Sequence, residues 1–202
     1  MDEMLDASAW ISALLAEASS EGQRRAVLLC GSRQWGMHLA HEAIRLLPGE
    51  THTFISDREP PWEGSQTLAH HHARSILGSE SDCVVLDCHA RFDPDVIGAA
   101  TGTIRGGGLL ILLLPPWEDR DAWCKNYASR LAVEGFPETL VTHHFIDWFR
   151  RAIDGLKGIA VYGEGQGEPT YYPPVSRPQR DPVYDHPSAR TPDQAEAVAL
   201  IQ

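Results

Sequence analysis

The sequence GGGLLILLLPPWE, at residues 106–118, decides the fold of this chain. Six consecutive apolar side chains, at positions 109–114, stand between a run of glycines and a pair of prolines. A short apolar run that does not alternate with polar residues is typical of a β-strand covered on both faces, as in a parallel sheet. We therefore expect residues 109–114 to form the central strand, Pro115-Pro116 to fix the loop that leaves it, and Trp117 to cap the core.

Four further apolar runs predict the rest of the sheet. They lie at residues 26–30, 53–55, 83–86 and 159–162. The runs AVLLC and CVVL are also continuously apolar, so they predict strands that are covered on both faces. The run at 53–55 is weaker and predicts an edge strand. No run approaches the roughly 20 apolar residues that span a bilayer, and we expect no membrane partner.

Helical patterns alternate with these runs. They cover residues 9–18, 36–47, 65–77, 93–105, 119–134 and 142–155. The sharpest start is Asp93-Pro94, an N-cap followed by proline in the first turn, and the glycines at 106–108 are expected to end that helix. Strands that alternate with helices imply right-handed crossovers. We therefore predict an α/β fold with a doubly wound, mostly parallel sheet of about five strands, Rossmann-like and three-layered.

The composition divides the chain into three parts. Residues 163–192 hold seven of the 14 prolines and show no hydrophobic periodicity. We predict an α/β domain over residues 1–162, then an extended Pro-rich linker or strap over 163–192. Residues 193–202 have the pattern of a helix start. We expect them to open a following module, so that the chain is cut from a longer one.

The charge and the cysteines limit the class of protein. The chain carries 17 Lys and Arg against 28 Asp and Glu, a formal net charge of −11. This balance argues against a dedicated nucleic-acid clamp, although it leaves room for one basic face. The four cysteines form no CxxC pair, and the acidic N-terminus is unlike a secretory signal. We expect a soluble protein of the reducing cytoplasm, without disulfides.

Two segments invite comparison with nucleotide sites. Residues 31–36, GSRQWG, follow a predicted strand and precede a helix, where nucleotide-binding folds hold phosphate. They lack both the GxGxxG and the GxxxxGK[ST] spacing, so a tight βα turn is the favoured interpretation. Residues 109–119 resemble the strand-then-acid arrangement that holds magnesium in nucleotide hydrolases. That arrangement needs a phosphate loop, and this sequence has none.

The remaining polar motifs do not form a complete site in the sequence. Asp87-Cys88-His89 ends a buried strand, but Cys88 and His89 are adjacent and would point opposite ways on an extended chain. The three histidines at 70–72 would spread around a helix and cannot share one metal. Ser32, Asp87 and His89 could be imagined as a triad, yet no GxSxG elbow is present. We therefore predict no catalytic residue and no metal site.

One segment is specific enough to suggest a family. The sequence TGTIRGGGLLILLLPPWE, at residues 101–118, closely resembles a segment of the N-terminal domain of bacterial tRNA(Met) cytidine acetyltransferases. The shared order is a GT turn, a basic residue, glycines, a leucine-rich strand and a Pro-Trp-Glu loop. Three other segments fit in register. They are residues 87–92, the pair His144-Phe145 with residues 148–151, and the tail at 191–197.

The resemblance implies a Rossmann-like domain that precedes an ATP-driven helicase-like module, an acetyltransferase domain and a tRNA-binding tail. Members of the family acetylate N4 of the wobble cytidine of elongator tRNA(Met), using acetyl-CoA and ATP or GTP. For this chain the resemblance implies a non-catalytic domain that packs on the helicase-like module and helps to position tRNA. Gln194 matches the position at which such motors contact adenine. No phosphate loop and no acetyl-CoA signature follow it here, so we expect these residues to bind no cofactor.

Several arginines are candidates for contact with the RNA backbone, although solvated surface charge explains each of them equally well. They are Arg24, Arg25, Arg150 and Arg151, together with Arg177, Arg180 and Arg190 in the tail. Two other functions stay open. One is a nucleotide or small-molecule binding domain with a site at the strand ends, built from residues 31–33, 57, 87–89 and 117–118. The other is an interaction scaffold whose Pro-rich tail straps onto a partner.

Overall fold

The computed structural model describes residues 2–47, 49, 51–58, 66–89 and 91–174, except for the side chains of residues 2–8, 129 and 130. Within that part, seven strands form one sheet in the order β3-β2-β4-β5-β1-β6-β7. The strands are β1 (Arg25–Cys30), β2 (His52–Ile55), β3 (Gln66–Leu68), β4 (Ser81–Asp87), β5 (Ile104–Leu114), β6 (Ile159–Gly163) and β7 (Thr170–Tyr171). All neighbouring pairs are parallel except β6 and β7, which are antiparallel.

Five α-helices accompany the sheet in the described part of the chain. They are α1 (Asp2–Ser20), α2 (Arg33–Leu46), α3 (Pro94–Thr103), α4 (Arg120–Leu131) and α5 (His144–Ile153), and two 3₁₀ helices lie at His70–Ile76 and Glu138–Leu140. None of the helices in the described residues is long and apolar enough to cross a membrane. The predicted start of α3 is confirmed, because the Asp93 side chain accepts a hydrogen bond from the Asp95 N–H at 3.0 Å.

Strand β5 lies at the centre of the sheet, as the apolar run predicts. It pairs with β1 on one side and β4 on the other, so that Leu112 lies opposite both Leu28 and Leu86. Its side chains alternate between two cores. Ile111 packs with residues of α1 and α2, whereas Leu112 packs with residues of α3, α4 and α5. The fold is therefore the predicted three-layer, doubly wound α/β sheet.

The glycines at 106–108 belong to β5 and do not end a helix, so the predicted extension of α3 to Arg105 is wrong. The β4–β5 ladder is irregular here: Ser81 pairs with Ile104, whereas Cys83 pairs with Leu109. A Cβ on Gly106 would lie 2.7 Å from the Gly22 carbonyl oxygen, and one on Gly108 would lie 2.7 Å from that of Asp82. Glycine is needed because three backbone segments approach closely at this irregularity.

The predicted helix over residues 65–77 is also wrong. Residues 66–68 form β3, which pairs with β2 in parallel, and the 3₁₀ helix His70–Ile76 follows it. The buried residues His70, Ala73 and Ile76 recur every third position, a spacing that α and 3₁₀ helices both accept. Because β3 covers the outer side of β2, β2 is not the edge strand that its weak sequence predicted.

The end of the described chain adds one more strand. Strand β6 continues to Gly163, and β7 turns back along it, so the segment expected to be an extended linker begins as a short hairpin. Most of the Pro-rich segment, residues 175–192, and the expected helix start at 193–202 lie outside the described residues. Their predicted organisation stays a prediction.

The central position of β5 predicts a large loss of stability on truncation of Leu112. Leu112 is 2% exposed, and Leu112→Ala should lower the free energy of unfolding by about 2–5 kcal/mol because it leaves a cavity in a packed core. Leu77→Ala is the matched control: Leu77 is 60% exposed, so its loss should stay within about 0.5 kcal/mol. Urea denaturation followed by circular dichroism measures both. Equal losses in the two variants would contradict this position for β5.

Candidate functional site at the carboxyl edge of the sheet

The connections of the sheet change direction between β1 and β5. Helix α2 follows β1 and packs on one face, whereas α4 follows β5 and packs on the other. Adjacent parallel strands whose following helices lie on opposite faces leave a crevice between them, and ligands of open α/β sheets bind there. The residues that line this edge therefore decide whether the fold can hold a ligand.

A carboxylate of the chain itself occupies the start of α2. Ser32 caps the helix, because its Oγ accepts a hydrogen bond from the Trp35 N–H at 3.3 Å. Glu164, just after β6, accepts the Ser32 backbone N–H at 2.6 Å and the Ser32 hydroxyl at 3.0 Å. Nucleotide-binding folds place a phosphate at this helix start. Here the Glu164 carboxylate lies beside that position and accepts both donors of the N-cap residue.

Gly31 is explained by this contact. A Cβ at position 31 would lie 2.5 Å from the Cβ of Glu164 and 2.8 Å from its Oε2. The glycine is therefore needed so that the turn after β1 can approach the segment after β6. This geometry favours a tight βα turn over a phosphate loop.

Asp87, at the end of β4, accepts hydrogen bonds from residues that follow three different strands. Its side chain is 1% exposed, and its Oδ2 accepts the Arg33 Nε–H at 2.6 Å and the Ser56 hydroxyl at 2.9 Å. Its Oδ1 accepts the backbone N–H of His89 at 3.1 Å. Buried carboxylates need such partners, because an unpaired buried charge costs several kcal/mol. Asp87 thus ties the ends of β1, β2 and β4 together.

Cys88 and His89 have separate environments. Cys88 lies in the core beneath α3, and burial, reinforced by Asp87, raises the pKa of its thiol well above the usual value. A protonated thiol is a poor nucleophile and a poor metal ligand. His89 is half-buried; burial lowers its pKa, Asp87 opposes that change, and Arg33 and Arg58 add to it. Among the described residues, no three His, Cys, Asp or Glu side chains are grouped to hold a metal ion.

The imagined Ser32, Asp87 and His89 triad is not assembled. The Ser32 hydroxyl donates to Glu164, and Asp87 meets His89 only through the backbone N–H. The histidines at 70–72 likewise do not form one site: His70 is buried with its Nδ1 3.4 Å from Asp57, whereas the ring centres of His71 and His72 lie 4.0 Å apart with the rings tilted by 44°.

Arg150 holds the loop that leaves β5. Its Nη2 donates to the Trp117 carbonyl, and its guanidinium carbon lies 5.1 Å from the Trp117 ring centre and 5.8 Å from that of Trp123. The Trp117 and Trp123 rings meet edge to face at 5.5 Å, so Trp117 covers the core as predicted. Arg151 is exposed on the same helix. The two arginines line a cavity of about 350 Å³ with Trp117, Asp147 and Asp154.

The other two arginine candidates lie at the opposite, amino edge of the sheet. Arg25 is 3% exposed, and its guanidinium donates to Glu17 at 2.7 Å and to the Tyr171 hydroxyl at 3.2 Å. It has a structural role and presents no free surface to RNA. Arg24 is exposed. Gln194 and the tail arginines lie outside the described residues.

Comparison with known proteins gives the family. A family model described as tRNA(Met) cytidine acetyltransferase TmcA, N-terminal, matches residues 1–164. The chain belongs to this family. The resemblance seen at residues 101–118 is thereby confirmed. The match ends just after β6 and includes Glu164, whose carboxylate accepts the N–H of Ser32, the N-cap of α2.

Three relatives named tRNA(Met) cytidine acetyltransferase TmcA show how far the likeness extends. The protein from Nitrosococcus halophilus is 32% identical over 94% of this chain and 26% of its own length. Those from Haloferax volcanii and Citrobacter koseri are each 29% identical, over 98% and 92% of this chain and over 28% and 26% of their own lengths. The chain therefore spans about a quarter of the length of these TmcA relatives.

The contact between Gly31 and Glu164 predicts a destabilising Gly31→Ala substitution. The new Cβ must displace Glu164, which should lower the free energy of unfolding by about 1–3 kcal/mol. Gly98→Ala is the control, because Gly98 lies in α3 with no atom near its missing Cβ, and alanine there should raise stability slightly. In a Glu164→Gly background, Gly31→Ala should lower the free energy of unfolding by less, because the side chain that it displaces is absent. An undiminished cost in that background, measured by urea denaturation, would refute the contact.

Proposed function

We propose that this chain is the non-catalytic N-terminal domain of a tRNA(Met) wobble-cytidine N4-acetyltransferase, that it packs on a helicase-like module and helps to position the tRNA in the cytoplasm. The family match over residues 1–164 supports the assignment. Acetyl-CoA and ATP or GTP would bind to other modules of the enzyme. At the carboxyl edge, the carboxylates of Asp87 and Glu164 already have partners within the chain, which supports a role other than acetyl transfer.

An exposed apolar surface supports packing on another module. Five large apolar side chains near α4 and α5 are between 43% and 65% exposed. They are Leu131, Val133, Phe136, Leu140 and Trp148, and we call them the apolar surface. Single exposed apolar residues are common, but four within ten positions at the end of one helix are a typical feature of an interface. This surface is the observation that carries the packing proposal.

Trp148, one member of the apolar surface, packs on an aromatic cluster that reaches the core. The Trp148 ring lies 5.6 Å from that of Phe145, which stacks on Tyr127 at 5.5 Å and approaches Phe92 at 6.1 Å. Phe92 is fully buried, so the rings form a continuous path from the core to the surface. A preorganised surface of this kind binds a partner without the entropic cost of ordering loose side chains.

The position of Arg151 supports contact with tRNA. It is exposed on α5, the helix that also carries Trp148, and an exposed cation beside an exposed aromatic ring suits an RNA strand. The net charge of −11 means that most of the affinity for tRNA would come from other modules. We therefore assign to Arg151, and to Arg24 at the other edge, a positioning role on the RNA backbone.

The apolar surface predicts the behaviour of a Phe136→Ser, Leu140→Ser double variant in the full-length enzyme. Loss of two apolar contacts should weaken packing on the helicase-like module and lower tRNA acetylation on the order of tenfold or more. The measurement is N4-acetylcytidine formed in tRNA(Met) with acetyl-CoA and ATP. Both residues are exposed in this chain, so the thermal melting of the 202-residue chain should not change.

Leu77→Ser is the matched control, since Leu77 is equally exposed but lies on a different element. Its acetylation rate should equal that of the unmodified enzyme. Arg151→Ala tests the tRNA contact separately and should raise the KM for tRNA with kcat unchanged. Full activity of the Phe136, Leu140 double variant would rule out the packing role of this surface.

A further inference from the structure

Among the described residues, the polar groups around Asp87 at the carboxyl edge are not all paired. Both oxygens of Asp87 already accept hydrogen bonds, from Arg33, Ser56 and the His89 backbone. The Nη2 atom of Arg33 and the Nε2 atom of His89 are buried and have no hydrogen-bond partner in the described part of the chain. Buried polar atoms without partners are rare in folded proteins, so these two call for an explanation.

Two arginines lie at the same place. Arg58, just after β2, is exposed, and its backbone N–H donates to the Ser56 Oγ at 3.1 Å, the hydroxyl that in turn donates to Asp87. Arg33 and Arg58 both add to the lowering of the His89 pKa. Three carboxylates nearby already have partners in the chain: Asp87 with Arg33, Asp57 with His70, and Glu164 with Ser32. The Arg33 guanidinium therefore lies on the buried Asp87 carboxylate beside a half-buried imidazole, and Arg58 follows at the end of the neighbouring strand.

We propose that Arg33, Arg58 and His89 bind the phosphate group of a small molecule at the carboxyl edge of the sheet. This assignment is independent of the proposed role in tRNA acetylation. Arg33 is fixed through its Nε on Asp87, which leaves its Nη groups for a second acceptor, and its side chain is 25% exposed. Guanidinium groups match the geometry of phosphate oxygens and bind them through charge-assisted hydrogen bonds.

The contact of Glu164 with Ser32 explains why the phosphate would bind here and not at the start of α2. The Ser32 N–H and hydroxyl are already taken by that carboxylate. A second anion at the same place would be repelled by Glu164. The unpartnered polar atoms of Arg33 and His89 belong to residues that bond Asp87 at the end of β4, so they offer phosphate a position shifted along the same edge.

The test is a titration of the 202-residue chain with inorganic phosphate and with AMP, at constant ionic strength with sodium chloride as the blank. Backbone amide NMR shifts should be saturable and should centre on residues 31–33, 56–58 and 87–89. Arg58→Ala should weaken the binding on the order of tenfold, because a charge-assisted hydrogen bond is lost. Arg45→Ala is the control: Arg45 is an exposed arginine on α2 that pairs with Glu42.

The two probes distinguish the sources of the phosphate group. Tighter binding of AMP would support a nucleotide ligand, and equal binding would support free phosphate. Three results would overturn the proposal. They are no saturable shift with either probe, a shift that survives Arg58→Ala unchanged, or binding of a tRNA fragment at these residues with none of inorganic phosphate or AMP.

Discussion

The buried carboxylate of Asp87 imposes the constraint on which the carboxyl edge of the sheet depends. A charge at the end of a central strand must be neutralised, and here Arg33 and Ser56 do so from the ends of two other strands. The chain thereby fixes how β1, β2 and β4 end. Because Glu164 binds the start of α2 in addition, the crevice of the doubly wound fold is lined by the chain's own ion pairs and hydrogen bonds.

Much of the fold could be predicted from local patterns, since continuously apolar runs identify the buried strands and Asp93-Pro94 marks the start of α3. Prediction of the secondary structure fails where one sequence pattern fits two structures. Buried positions at every third residue over 70–76 fit an α-helix and a 3₁₀ helix alike. The glycines at 106–108 are typical of the end of a helix. In the structure they are needed because the backbone of β5 lies close to Gly22 and Asp82.

Less of the candidate site was predictable. Parallel strands place Ser32, Asp87 and residue 57 at one edge, and the sequence is sufficient for that inference. It gives no signal that Arg33 would pair with Asp87, or that Glu164 would reach Ser32 across 132 positions. Such contacts depend on the assembled tertiary structure. The family, in contrast, was recognisable from residues 101–118, where glycines, a buried strand and a rigid loop follow one another without interruption.

The polar groups at the carboxyl edge stabilise one another, with Asp87 and Arg33 as the main pair. A double-mutant cycle with Asp87→Asn and Arg33→Met, measured by urea denaturation, tests this mutual stabilisation. We expect a coupling energy of about 1.5–3 kcal/mol, so that the double variant is much less destabilised than the sum of the single variants. Additivity within about 0.5 kcal/mol would contradict the claim.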